Sequence, residues 1–218
     1  MEMIDIAMIL ILIFSVVLHE MAHGYAASWL GDPTARLAGR LTANPIPHLD
    51  PLGSVILPGI LIYMNSLAPG SGLLFGWAKP VPYNPYNFTN QKWGEAIVAF
   101  AGPASNILLA IIFGTMIRFS EVLQLSASFV QIASMVVVLN IFLALFNLLP
   151  IPPLDGSKIL PKFLPLGLSM KYEQFRRVFE QNIAFGFGLV ILLFIFVLSQ
   201  PLLDLTRWLA ALMSGSYT

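Results

Sequence analysis

Three polar side chains stand close together near the start of an otherwise apolar chain: His19, Glu20 and His23, in the order His-Glu-Met-Ala-His. On a helix, residues four apart lie on one face, so the two imidazoles can share one metal ion. Glu20, adjacent in the same turn, can reach a metal-held water without being a ligand, the position a general base for hydrolysis needs. Three histidines and six glutamates in 218 residues give this pattern by chance in roughly one chain per thousand. An ionised group at the centre of a bilayer also costs about 2.5–3.5 kcal/mol. Packing gives no reason to keep these groups there, whereas metal binding does.

A catalytic zinc takes three protein ligands and keeps a fourth position for water. The chain has no cysteine, so the third ligand must offer nitrogen or oxygen. Two similar phrases could supply it: Pro150-Ile151-Pro152-Pro153-Leu154-Asp155-Gly156 and Pro45-Ile46-Pro47-His48-Leu49-Asp50. Asp155 is favoured because it ends an uncharged stretch, residues 122–154, and is delivered at the membrane edge towards which the histidines point. Without an ion it would be an ordinary loop or helix-capping aspartate. His48 and Asp50 read more simply as solvated loop residues. His48 or Asp50 is kept as an extra contact, a fourth ligand that would displace water in a resting state.

The elements that must position these groups are membrane helices. The sequence is 57% hydrophobic and 10% charged, outside the usual range of soluble domains, and a helix crosses a bilayer in about 20 residues. Residues 6–30, 97–117 and 122 to about 149 read as three spans, and 183–198 as a fourth. Residues 172–181 read as interfacial, and Pro201 as the start of a shorter terminal helix. Lys158, Lys162, Lys171, Arg176 and Arg177 follow the third span, against Arg118 alone before it. The richer side is expected to be cytoplasmic, with the active site near it and the N-terminus outside. Residues 52–78, broken by Pro58, Gly59, Pro69, Gly70 and Gly72, must then cross an even number of times, as a re-entrant or β-like segment buried against protein. The expected fold is an all-α polytopic membrane protein of four to six transmembrane helices. It forms one membrane-embedded domain over 1–218, with a core at 4–160 and C-terminal helices at 172–214.

Zero net charge and the lack of a basic run argue against a nucleic-acid partner. The first apolar stretch lacks a basic leader and reads as retained rather than cleaved.

Several phrases together carry a family likeness: HEMAH at 19–23, AGPASN at 101–106 and FNLLPIPPLDG at 146–156. The chain resembles the site-2 protease family of intramembrane metalloproteases over about residues 15–160. NPIPHLDPLG and FGWAKPVPYNP resemble its small bacterial and archaeal branch. The resemblance implies a bacterial or archaeal cell-membrane enzyme holding one Zn2+ on His19, His23 and Asp155, with Glu20 as acid and base. It also implies Asn147 as a group that steadies the oxyanion, consistent with a carboxamide that can donate near the metal; the plainer role is helix-to-helix bonding. Asn140 reads as a tie between the third and first spans, and Gly102, Pro103 and Asn106 as a close-packing, kinking device. Longer relatives carry a further helix before the HExxH span and appended domains; regulation by such attachments is not expected here. The implied partners are transmembrane protein substrates and the lipid bilayer, and self-association into a homo-oligomer is compatible with the sequence. A substrate helix must unwind to be cut, and residues 52–82 are expected to offer an edge for the extended strand. The rival readings are a metal or proton transporter, for which no inverted repeat is evident, and an inactive binder, against which the intact Glu20 speaks.

Overall fold

The computed structural model describes residues 3–56, 78–181 and 183–215. Helix α1 (Met3–Trp29) leads to the single turn α2 (Thr34–Leu37); α3 (Gly94–Arg118) and α4 (Ala127–Asn147) are the next long helices. The one-turn α5 (Gly156–Ile159), α6 (Leu166–Gln181), α7 (Ile183–Leu193) and α8 (Ser199–Ser214) follow. No strand occurs among the described residues. Among the described residues, four helical segments are long and apolar enough to span a bilayer: Ile6–Trp29, Gly94–Arg118, Ala127–Asn147 and Gly188–Ser214. Ile6, Leu10, Phe14, Leu108, Ile112 and Phe196 lie exposed on them, as lipid-facing side chains do. The protein is an integral membrane protein, and its described residues are all-α. Of the expected re-entrant or β-like segment at 52–78, residues 57–77 lie outside the described residues, and Pro51–Ile56 form a π-helical turn.

The C-terminal region departs from expectation. Pro201 does not start a separate helix: the span runs on to Ser214, through a π-turn at Phe194–Leu198. Proline conflicts with the carbonyl four residues back and lacks an N–H. Here that carbonyl belongs to Val197, inside the widened π-turn, where the ordinary ladder is already interrupted.

Helix α3 is the hub, packing against α1, α4, α5 and α8. Its buried residues include Ala96, Ala99, Gly102, Ala110 and Gly114, small side chains that let helix backbones approach within a membrane. Ala110 packs with Val137 and Ile141 of α4, flanked by Leu209 and Met213 of α8. Helix α1 stops at Gly31, whose positive φ of 99° suits glycine best. The buried Asp32 beyond it accepts from Thr34 N and Oγ1, Asn84 N and Asn87 Nδ2. Those bonds fasten the end of α1 to residues 84–87. On the other flank, Arg176 of α6 pairs with Glu95 at 2.7 Å and with Glu173 at 2.8 Å, tying α6 to the first turn of α3.

Candidate active site

Helix α1 carries His19 and His23 one turn apart, both buried, and α5 begins just after the buried Asp155. Asp155 occupies the N-cap position of α5, yet its carboxylate makes no capping hydrogen bond. Instead Oδ2 lies 3.2 Å from His19 Nε2 and 3.3 Å from His23 Nε2, and the two Nε2 atoms are 3.0 Å apart. A tetrahedral shell with arms of about 2.0–2.1 Å has edges of about 3.3–3.4 Å, so the three atoms form a triangle close to one face of such a shell. The plain capping role for Asp155 is therefore not what its side chain does.

The rings are oriented by their other nitrogens. His19 Nδ1 donates to Asn106 Oδ1 at 2.6 Å and His23 Nδ1 to the Val98 carbonyl at 2.7 Å. Both acceptors lack a proton, so Nδ1 carries the hydrogen in each ring and Nε2 is the nitrogen turned to a metal. Asn106 is itself held: its Nδ2 donates to Asn140 Oδ1 at 2.8 Å, and Asn140 donates to Ser15 Oγ at 2.9 Å. These asparagines are fully buried, and the chain of bonds links α1, α3 and α4, with Asn140 the tie the sequence suggested. Pro103, inside α3, cannot donate to the Ala99 carbonyl, which loosens the turn that also presents the Val98 carbonyl.

The space between the rings depends on Gly102. A Cβ there would stand 2.5 Å from both His19 Nε2 and His23 Nε2, filling the place where an ion would sit. Gly156 is equally constrained, since a Cβ would collide with the Leu148 carbonyl and approach that of Leu149 to 2.5 Å; this lets Asp155 turn inward against the end of α4. The donor set of two neutral imidazoles and one carboxylate suits zinc, and the hollow kept by glycine fits an ion.

These groups line a cavity of about 460 Å³, together with Glu20, Asp50, Tyr83, Asn147, Lys158 and Glu180. Glu20 Oε2 accepts from Val81 N at 2.9 Å, which holds the carboxylate beside the histidines. Residues 79–81 are fixed in turn: Lys79 N donates to the His48 carbonyl at 2.9 Å, and Arg40 donates to the Lys79 carbonyl. Asn147 lines the cavity, with Nδ2 donating to Leu143 O at 2.9 Å. Asp50 accepts from Gly53 N at 2.7 Å. The buried His48 sits apart, its Nε2 against Thr42 O at 3.0 Å, and is not one of the three residues whose ligand atoms converge among the described residues. Sequence reasoning missed the contacts of Gly102 and Asn106 with the histidines, the Val81 tether and the presence of Tyr83 and Lys158. Only Asn106, an amide within an apolar span, carried a signal that could have found it.

The family model for peptidase family M50 matches residues 116–195. A Bacillus subtilis protein named "Putative zinc metalloprotease YwhC" is 37% identical over 207 residues, covering 92% of this chain and 84% of that one. The Mycolicibacterium smegmatis protein "Putative zinc metalloprotease Rip2" is 28% identical over 198 residues, 90% of this chain and 70% of its own. No solved structure matches the chain significantly. With a relative this similar along most of both chains, and with the histidines and Asp155 gathered on one cavity, the chain belongs to peptidase family M50, the site-2 proteases.

Proposed function

We propose that this protein is a zinc-dependent intramembrane endopeptidase that cuts peptide bonds in or near transmembrane segments of other membrane proteins. The observation that carries this reading is the triangle of His19 Nε2, His23 Nε2 and Asp155 Oδ2, with sides of 3.0–3.3 Å, set beside Glu20 in one cavity. His19, His23 and Asp155 hold the ion. When bound, zinc acts as a Lewis acid that brings the pKa of a water towards neutrality and polarises a carbonyl. Glu20, kept in place by Val81 N, takes a proton from the attacking water and returns it to the leaving nitrogen. Asn147 has one amide hydrogen beyond that given to Leu143 and can direct it at the oxyanion. His48, bonded to Thr42, serves in this reading to anchor residues 79–81 rather than to touch the ion. The site sits near the cytoplasmic side, with the N-terminus outside, as the distribution of Lys and Arg supports. The working unit is the single membrane domain over 1–218. Substrates are transmembrane proteins whose helices unwind locally; self-association is read from size in detergent.

The test is purification in detergent, metal analysis and incubation with a panel of single-span proteins, beside Glu20→Gln. One zinc per chain in both proteins, with cleavage lost by at least a thousandfold in Glu20→Gln, is the expected result. Cleavage that survives in the variant would remove Glu20 from the chemistry, and altered ion flux without cleavage would favour a transporter.

A further inference from the structure

The cavity carries four carboxylates, Glu20, Asp50, Asp155 and Glu180, and Lys158 is the only lysine or arginine among its described lining residues. Lys158 stands one turn after Asp155 on α5, so the fold that aims the aspartate also brings this side chain to the cavity wall. Its ammonium lies 5.4 Å from the centre of the Tyr83 ring. Asp155 and Glu180 attract it, but among the described residues it forms no ion pair with either, while Lys162, Arg176 and Arg207 all do so with acidic neighbours. A partly buried cation without a close counter-ion is costly, and its position invites an anion.

Hydrolysis of a peptide bond makes one. The C–N bond breaks and a C–O bond forms; one proton of the water passes through Glu20 to the leaving nitrogen. The new acid gives its own proton to the released amine, leaving a carboxylate and an ammonium. That carboxylate would arise in a cavity that also carries Asp50 and Glu180, which repel it, and Glu20, negative again once its proton has passed on. Asn147 keeps one amide hydrogen beyond that given to Leu143 O, and Lys158 is the charged donor on the same cavity wall.

We propose that Lys158, steadied by Tyr83, is a catalytic residue that holds the oxyanion and then the new C-terminal carboxylate of the cleaved substrate. This rests on the protease reading above and adds the group that recognises the product.

The probe is a seven-residue alanine- and leucine-based peptide ending in a free carboxylate, compared with its C-terminal amide. Binding is measured to the full chain in detergent after zinc has been stripped, so that no metal contributes. Wild type is expected to bind the acid at least tenfold more tightly than the amide. Lys158→Met and Lys158→Gln reduce that preference to under threefold, Lys158→Arg keeps most of it, and Tyr83→Phe weakens it severalfold. Zinc content after reloading stays at one per chain in each. A neutral variant that folds, as judged by its thermal melt, and still prefers the acid tenfold would overturn the proposal, as would a wild type that binds both peptides alike. Because the preference is read without metal or turnover, its failure is distinct from failure of the protease reading, which would show as missing zinc or missing cleavage in wild type.

Discussion

At the scale of single residues, what matters most in the site divides into side chains and one missing side chain. The histidine pair was legible because its spacing alone puts two donors on one helical face, and an apolar span gives such donors no other reason to exist. Asp155 was legible through its place at the end of a long uncharged stretch. Gly102 was legible only as a close-packing position, because a hydrogen atom as side chain has no chemistry to read; the approach of α1 shows what it keeps open. Gly102→Ala is therefore expected to lower zinc occupancy from about one per chain to below about 0.1, measured by metal analysis, while the same change at Gly167, where a Cβ would meet nothing within 4 Å and φ is not positive, leaves occupancy intact. A variant at Gly102 that still loads a full equivalent of zinc would contradict the hollow described here. The Asn106 contact escaped sequence reading because hydrogen bonds between residues 87 apart in the chain leave no local pattern.

At the scale of elements, the three long helices described before residue 148 follow from apolar length, and their ends from Gly31, Arg118 and the proline run after Asn147. The final span was misread because a proline usually marks a break, whereas here a π-turn accommodates it. Two fastenings of elements can be tested. Burial raises the pKa of Asp32, but its bonds from Thr34, Asn84 and Asn87 outweigh this and hold it below the ordinary 3.8. A carboxylate whose folded pKa is depressed lends stability that is fully present above the unfolded value and is lost as pH falls through the folded one. Thermal stability in detergent should thus drop as pH is lowered below about 4, and Asp32→Asn should flatten that part of the profile while lowering stability at pH 7. Breaking the Arg176–Glu95 pair is the second. With side chains only 9% and 19% exposed, removal of one partner by Arg176→Met should cost about 3 kcal/mol, read as a lower melting temperature. An unchanged melt would mean that α6 is held by its apolar contacts alone.

At the scale of the whole molecule, orientation can be read directly because the chain has no cysteine, so any introduced thiol is unique. A cysteine at Ser126, in the turn before α4, should react with a membrane-impermeant maleimide on intact cells; one at Ser169 on α6 should react only after permeabilisation. The reverse pattern would invert the proposed topology. Gly102 then has a consequence beyond chemistry. The same bare backbone that admits an ion also lets two helices touch across it, with the third donor arriving from a turn 132 residues further along than the nearer histidine. Whatever occupies that gap works as a rivet between remote stretches of chain. Chelation should therefore do more than silence the enzyme: it should loosen the bundle, lowering the melting temperature by the equivalent of about 2.7 kcal/mol relative to protein in metal at a hundredfold excess over Kd.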